Sequence, residues 1–163
     1  MTFLQLINNV LIRLRETQVS TNNETAYSTL IGLFVNDAKR QIEDSFSWNV
    51  LGRTVTLTTS SSAHVYSMTG AGQKFQVMDA LNTTSNVALQ NISFVEMNRY
   101  QNLVPSITGV PQYYAFDGVD GNGDTQVVLY PRPDGVYSIP FSLTVPQAPL
   151  AADGTSVLVP DVL

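Results

Sequence analysis

The sequence contains no cysteine and little charge. Without cysteine the chain can form no disulfide, no thiol nucleophile and no thiolate metal site. Charged residues make up 13% of the 163 residues, against roughly 25% in typical soluble domains. Hydrophobic residues make up 44%, which is enough for one buried core and excludes a disordered chain. Little charge with ample hydrophobicity favours a surface that other subunits largely cover.

Basic residues are scarce in the last third of the chain. From residue 101 onward, Arg132 is the single base. Six aspartates oppose it and carry the whole excess of the net charge of −5: Asp117, Asp120, Asp124, Asp134, Asp153 and Asp161. Because no basic patch is present to neutralise phosphates, we expect no sequence-independent grip on nucleic acid. No apolar run approaches the ~20 residues that span a bilayer, so we also expect no membrane partner.

The sequence also lacks a recognisable catalytic set. His64 is its one histidine. A catalytic histidine needs a nucleophile and an orienting group, and no spacing in the sequence marks either. No pair of carboxylates stands at a recognisable spacing for acid–base work. We therefore expect no enzyme, no catalytic residue and no cofactor, and we interpret His64 as a surface or turn residue.

One loop resembles the start of a calcium site. Asp120, Asn122 and Asp124 alternate with glycine, as ligands do at the beginning of an EF-hand loop. The pattern then fails, because Thr125 and Pro131 stand where that loop needs glycine and glutamate. A hairpin tip also requires Gly, Asn and Asp. We prefer the turn, and a Ca²⁺ site at these residues remains the alternative.

Residues 1–50 predict an antiparallel helical hairpin. Thr2 can cap a first helix, whose apolar residues recur at the helical spacing: Phe3, Leu6, Ile7, Val10, Leu11 and Leu14. A second helix is predicted from Thr25 to Ser45, with its own stripe: Tyr27, Leu30, Ile31, Phe34, Val35, Ala38 and Ile42. Two amphipathic helices joined by a short polar connector pack as an antiparallel pair.

Residues 51–163 predict an antiparallel β domain, a sandwich or a barrel, with one short helix. Strands are expected at 54–59, 65–68, 75–81, 86–89, 113–116, 126–130 and 136–145. Ser93 has the capping-box spacing and predicts a helix over 94–102. Pro140 indicates that the last strand lies at a sheet edge. The expected fold class is therefore α+β, with a core that includes Phe34, Ile42, Trp48 and Phe141.

Two blocks of motifs occur in the order found in one known family. In the first block, a hydrophobic-Val-Asn-x-Ala-x-x-x-Ile stretch occupies residues 34–42, followed by Trp48 and a Thr-rich strand. In the second block the motifs are Gly-x-Pro-x-Tyr-Tyr-Ala at 109–115, Pro-x-Pro-Asp at 131–134, a strand led by Tyr137, and Pro146 to Leu150. In these features the chain resembles the head-to-tail adaptor proteins of short-tailed phages, the group that includes tail tubular protein A.

The resemblance implies a structural virion protein without an active site. It implies a ring, a dodecamer, between the capsid portal and the tail nozzle, where it extends the DNA channel and gives the tail a docking surface. The implied partners are copies of the chain, the portal protein and the tail nozzle protein, while genomic DNA passes through without sequence-specific binding. The implied location is the neck of the virion, after assembly in the host cytoplasm.

The same resemblance implies a further element. Members of that group normally continue into a C-terminal helical segment that packs beside the first two helices. The pair Pro160-Asp161 looks like the beginning of such a helix. We therefore expect either that such a helical segment follows residue 163 in a longer chain or that this protein lacks it.

Two other classes of function remain open from the residues alone. The first is a carbohydrate- or Ca²⁺-binding β module of a virion or surface protein, which requires the loop from Asp120 to Asp124 to hold a metal. The second is a small hydrolase, which the lone His64 and the missing carboxylate pair disfavour.

Overall fold

A computed structural model describes residues 1–103 and 107–159 of the chain. Over these residues it is an α+β protein with three α-helices: α1 (Phe3–Arg13), α2 (Ala26–Ser45) and α3 (Phe94–Asn102). It divides into two compact units, a helical unit of residues 1–51 together with the chain from Pro146 onward, and a β unit, Gly52–Val145. The helical unit ends at residue 51, where the sequence predicted a hairpin over 1–50, and the segment after 145, expected in the β domain, belongs with the helices. The predicted helix start at 160–161 lies outside the described residues.

Thr2 caps α1 as predicted, and Thr25, where the second helix was predicted to begin, is the residue that caps α2. The Thr2 side-chain oxygen accepts a hydrogen bond from the Gln5 backbone N–H at 3.3 Å, and Gln5 Oε1 accepts from the Thr2 N–H at 2.9 Å. Thr25 and Ser28 make the same reciprocal pair at 3.0 and 3.1 Å. These bonds satisfy N–H groups that the first helical turn leaves without a partner.

In the helical unit, α1 and α2 approach each other closely at a glycine. Phe3 and Ile7 of α1 are buried, and they lie against Gly32 of α2, where an added Cβ would be 3.0 Å from the Phe3 ring. Ser28, one turn earlier on α2, is also completely buried. The small residues Ser28 and Gly32, four apart on one face of α2, thus leave space for the large side chains of α1. Other apolar side chains complete this cluster: Leu11, Val19, Ile31 and Leu150.

The β unit contains ten strands in the described residues. They are β1 (Gly52–Thr58), β2 (Val65–Ser67), β3 (Gln76–Asn82), β4 (Val87–Ala88), β5 (Gln90–Asn91), β6 (Thr108–Gly109), β7 (Tyr113–Val119), β8 (Thr125–Tyr130), β9 (Arg132–Pro133) and β10 (Ser138–Thr144). One four-stranded sheet has the order β1-β10-β3-β4 and a second has the order β2-β8-β7-β5, while β6 and β9 form a two-stranded sheet. Within the described residues neither four-stranded sheet closes on itself, so the barrel alternative is wrong.

One apolar core draws side chains from both four-stranded sheets. In β10, alternate residues Ile139, Phe141 and Leu143 are completely buried, as the period of a half-buried strand predicts. From the other sheet, the Tyr114 ring meets the Phe141 ring edge-on, with their centroids 5.2 Å apart. Phe141, which was expected in the core, therefore lies at its centre.

The central position of β10 contradicts the prediction that Pro140 marks an edge strand. β10 pairs with β1 on one side and β3 on the other. The Thr83 N–H donates to the Ser138 carbonyl at 3.0 Å, so the even residues of β10 face β3 in the hydrogen-bond ladder. Pro140 therefore removes one bond to β3, worth about 1 kcal/mol. The buried neighbours Ile139 and Phe141 each contribute about 1.5–3 kcal/mol, which outweighs that loss.

α3 lies where the sequence predicted it. The Ser93 hydroxyl accepts from the Glu96 N–H at 3.2 Å and caps the helix. Met97 is buried against β7 and β8 in a second cluster of the β unit, and the Tyr100 ring stacks on Tyr130 at 5.0 Å. Among the residues that the structure describes, no helix is long and apolar enough to cross a membrane.

Candidate interaction surfaces

The apolar residues of α2 are divided between two faces of the helix. Ile31 is 4% exposed and packs with α1. The face that packs inward also contains small and polar residues, all buried: Ser28, Gly32, Lys39 and Glu43. Phe34 and Ile42 are 62% and 45% exposed, so the prediction that they are core residues is wrong. The predicted stripe is wider than the face that α1 and its neighbours cover.

The exposed part of this stripe forms a continuous apolar surface, here called the outer stripe. Its members recur at helical spacing along one side of α2: Tyr27, Leu30, Phe34, Ala38 and Ile42. Leu33 and Phe46 are also exposed and extend this apolar area. A contiguous patch of large apolar side chains marks a site that a partner covers. The outer stripe is therefore the best candidate for a docking surface in the helical unit.

Trp48 closes the end of α2 instead of filling a core. Its indole Nε1–H donates to the Ile42 carbonyl at 3.0 Å, one of the carbonyls that a helix end leaves without a partner. Its ring meets the Phe46 ring edge-on, with centroids 5.1 Å apart. Trp48 is half-buried, so its expected place in the core is wrong, and its role is to cap the helix.

A groove with a volume of about 230 Å³ adjoins the outer stripe. It is lined by Leu6, Val35, Ala38, Lys39, Ile42, Val157 and Val159. The Lys39 ammonium forms an ion pair there, since its Nζ lies 3.1 Å from Glu43 Oε1. Both side chains are almost completely buried. Nζ also donates to the Gln147 carbonyl at 2.7 Å. With this charge paired, the groove presents mainly apolar groups.

The segment after residue 145 is fixed to α2 by hydrogen bonds from helix side chains. Asn36 Nδ2 donates to the Leu150 carbonyl at 3.0 Å, and Asn36 Oδ1 accepts from the Leu150 N–H at 2.7 Å. The Leu150 side chain is buried in the cluster with Phe3 and Ile31. The Asn of the first block of motifs thus binds the final Leu of the second block. The Asn of the first block and the Leu of the second therefore have a structural explanation in one contact.

The loop from Asp120 to Asp124 is a turn in which the carboxylates bind backbone. Asp120 Oδ1 accepts from the N–H groups of Asn122 and Asp124 at 2.8 and 3.0 Å. The Ser67 hydroxyl, followed by these N–H groups, lowers the pKa of Asp120 below its ordinary value. Asp124 Oδ1 accepts from the Gly70 N–H at 3.1 Å. Over the described ranges, no group of three or more His, Cys, Asp and Glu side chains is placed to hold a metal ion.

His64 is half-buried beside a cation. Its carbonyl accepts from the Leu129 N–H at 2.8 Å, continuing the pairing of the chain with β8. Burial and, secondly, the charge of Arg132 lower the pKa of its imidazole. A catalytic histidine is instead oriented by a carboxylate. The surroundings of His64 therefore fit a strand-end residue.

Comparison with known proteins gives one family. A family model described as SU10 adaptor protein matches residues 1–163, the whole chain. No curated protein matches the chain. The matched residues include both blocks of motifs, while the closer likeness to tail tubular protein A stays a prediction. The chain therefore belongs to the SU10 adaptor protein family, a family of phage structural adaptor proteins.

Proposed function

We propose that this protein is a structural virion component that assembles into a ring between the capsid portal and the tail. In this role the ring extends the DNA channel and gives the tail nozzle a surface on which to dock. The proposal starts from membership of the adaptor family. The observation that carries it is the outer stripe, an apolar surface on α2 that needs a partner to cover it.

The helical unit fits the part that docks. We interpret α1 and α2 as an antiparallel hairpin, which the Phe3–Gly32 approach supports. Phe34 and Leu30 of the outer stripe are 62% and 43% exposed, whereas Ile31, beside them on the helix, is buried. Covering a large apolar side chain in a complex stabilises it by about 1.5–3 kcal/mol. Several such side chains on one helix supply the binding energy of a helix-in-groove contact.

The charge distribution fits a channel wall. Of the six aspartates after residue 100, Asp120 and Asp124 form the turn described above, and Arg132 is the single base there. A channel wall that carries aspartates repels phosphates, so DNA slides along it without being held. We accordingly propose a dodecamer of copies of the chain, located in the neck of the virion, with no catalytic activity.

Changing the outer stripe tests this function. Phe34→Gln and Leu30→Gln keep the helix propensity but remove apolar surface that the fold of the single chain does not bury. We expect both variants to fold normally and to lose co-purification with the portal of the same phage. The matched control is Thr29→Gln, at an exposed position elsewhere on α2, which should bind as the unchanged chain does. Undiminished portal binding by both variants contradicts the proposal.

A further inference from the structure

The first four-stranded sheet ends in a long open edge. β1 pairs with β10 over seven consecutive residues without a register shift. In residues 1–103 and 107–159, no strand pairs with the other side of β1. The alternate residues Thr54, Thr56 and Thr58 are exposed, while Val55 and Leu57 between them are buried. β1 is therefore a regular edge strand that is hydrogen-bonded to a neighbouring strand on one side only.

The backbone groups that face outward on β1 can be identified from the ladder. The Thr59 N–H donates to the Tyr137 carbonyl at 3.0 Å, in register with the β1–β10 pairing. Because antiparallel bonds recur at every second residue, Val55 and Leu57 also bond β10. The N–H and C=O groups of Thr54, Thr56 and Thr58 therefore point away from β10. These form a row of backbone donors and acceptors for another strand.

β1 also lacks the devices that keep strand edges from pairing. Natural edges are blunted by short length, bulges, lysine or proline. β1 has seven residues, no bulge, no lysine and no proline. Its one charged residue is Arg53, whose Nη1 donates to the Gly70 carbonyl at 2.9 Å. On a protein of low charge, we expect such a strand edge to pair with a strand of another subunit in the assembled state.

The same sheet has a second open edge that faces the opposite way. β4 covers β3 only at Leu81 and Asn82, and the Leu89 N–H adds one bond to the Ala80 carbonyl. Within the described residues no strand lies beside the outer edge of β3 from Gln76 to Asp79. At a register shift, Met78 is the extra residue of β3, and it is 67% exposed. This edge, unlike that of β1, therefore carries a bulge and offers only the short stretch from Gln76 to Asp79 to another strand.

We infer that β1 of one copy adds to the β3 edge of the next copy, so that the first sheet continues from subunit to subunit. Two different edges at opposite ends of one sheet make a head-to-tail contact, which builds a ring where the rotation between neighbours closes and an open filament where it does not. A foreign strand on β1 would leave the β3 edge open, and a β1–β1 contact would stop at a dimer. The solvent face of β1 carries neutral threonines, so no like charges oppose the contact. The inference rests on the proposed ring and names the surface that builds it.

A pair of proline variants separates this contact from folding. Thr56→Pro removes an N–H that points outward, a position that edge strands tolerate. Val55→Pro removes an N–H that bonds β10 and should unfold the β unit. Thr56→Val keeps every backbone group and serves as the positive control. We expect Thr56→Pro to retain its circular dichroism spectrum and to lose ring assembly at least tenfold in the presence of portal, whereas Thr56→Val assembles normally.

Cysteine pairs give a second test that does not disturb the edge. The chain has no cysteine of its own, so introduced pairs report without background. Thr54→Cys, Thr56→Cys and Thr58→Cys are each combined with Met78→Cys and oxidised in the assembled state. Because β10 separates β1 from β3, the two sites within a chain lie roughly two strand spacings, ~9.6 Å, apart, beyond the ~7 Å limit for a disulfide. We expect at least one pair to give a covalent ladder of multimers.

The outcomes separate this inference from the proposed function. A ring that forms normally with Thr56→Pro, and that gives no ladder with any cysteine pair, overturns the inference and leaves the ring intact. Efficient dimers from Thr56→Cys alone show a β1–β1 contact and also overturn it. If the unchanged chain forms no ring with portal, the proposed function itself fails, whatever the variants do.

Discussion

Asn36 and Leu150 are joined by two hydrogen bonds although 114 positions separate them in the chain. The Asn36 amide donates to the Leu150 carbonyl at 3.0 Å and accepts from the Leu150 N–H at 2.7 Å. A side-chain amide here takes the place of a neighbouring strand. The contact holds the segment after residue 145 on α2 and places the Leu150 side chain in the helical cluster.

We expect Asn36→Ala to destabilise the helical unit by about 1–3 kcal/mol, since it leaves both backbone groups of Leu150 without their partner. Chemical denaturation followed by circular dichroism measures this change. Asp37→Ala, at the exposed neighbouring position, is the matched control and should change stability by less than about 0.5 kcal/mol. Equal effects of the two substitutions contradict the role given to Asn36.

The two faces of α2 should respond differently to truncation. We expect Ile31→Ala to cost about 2–5 kcal/mol, because the side chain is buried, and Phe34→Ala to change stability by less than about 0.5 kcal/mol, since most of its ring is exposed. Phe141→Ala, in the core of the β unit, should cost about 3–5 kcal/mol. Urea unfolding of the three variants measures their losses in the free energy of unfolding. A loss for Phe34→Ala as large as that for Ile31→Ala would show that the outer stripe is covered within the single chain.

The buried ion pair of Lys39 and Glu43 predicts that removing one of its two charges destabilises the protein more than removing both. Lys39→Met leaves the Glu43 carboxylate buried without its cation, and we expect a loss of about 3–5 kcal/mol. The double variant Lys39→Met/Glu43→Leu removes both charges and should recover most of that loss. Thermal and urea unfolding check both values. A double variant no more stable than Lys39→Met would mean that the hydrogen bond from Lys39 to the Gln147 carbonyl, and not the ion pair, is the main contribution.

The turn at Asp120 predicts no response to calcium. A ligand that binds the folded state raises the melting temperature, and here the carboxylates of Asp120 and Asp124 already accept backbone N–H groups. We expect millimolar Ca²⁺ to leave the melting temperature unchanged, with Mg²⁺ as the control for ionic strength. A rise specific to Ca²⁺ that Asp120→Asn abolishes would support the alternative of a metal-binding β module.

The low pKa of Asp120 predicts a contribution at acid pH. Because its pKa in the folded state lies below the ordinary value of 3.8, its ionised form stabilises the fold above that pH. The contribution falls as the pH drops through the lowered pKa and the carboxylate becomes protonated. We expect Asp120→Asn, which keeps an acceptor but does not titrate, to flatten the stability profile of the unchanged chain below about pH 4. Parallel profiles for the two proteins contradict this assignment.

The sequence predicted the parts of the fold that depend on local signals. Thr2 and Ser93 cap their helices as predicted because a capping side chain bonds backbone within three residues. The strand that contains Phe141 is predicted because its apolar residues recur at every second position. Such signals need no knowledge of distant residues, and they were therefore readable along the chain.

The predictions that were wrong depend on long-range contacts. The stripe of α2 contains more apolar residues than one neighbour can cover, and the sequence does not say which of them, Ile31 or Phe34, faces inward. The place of Pro140 follows from the strand order, which brings together residues far apart in the chain. The return of the segment after residue 145 to the helices depends on Asn36 and Lys39, whose partners there are backbone groups and leave no pattern in the sequence.

The most direct test of the proposed adaptor ring is the mass of the complex that the chain forms with the portal of the same phage. Mass photometry of the purified mixture, followed by electron microscopy along the ring axis, counts the copies. We predict one closed ring of the 17.8 kDa chain, a dodecamer, on each portal. A chain that remains at 17.8 kDa beside the portal, with no added ring density, would contradict the account.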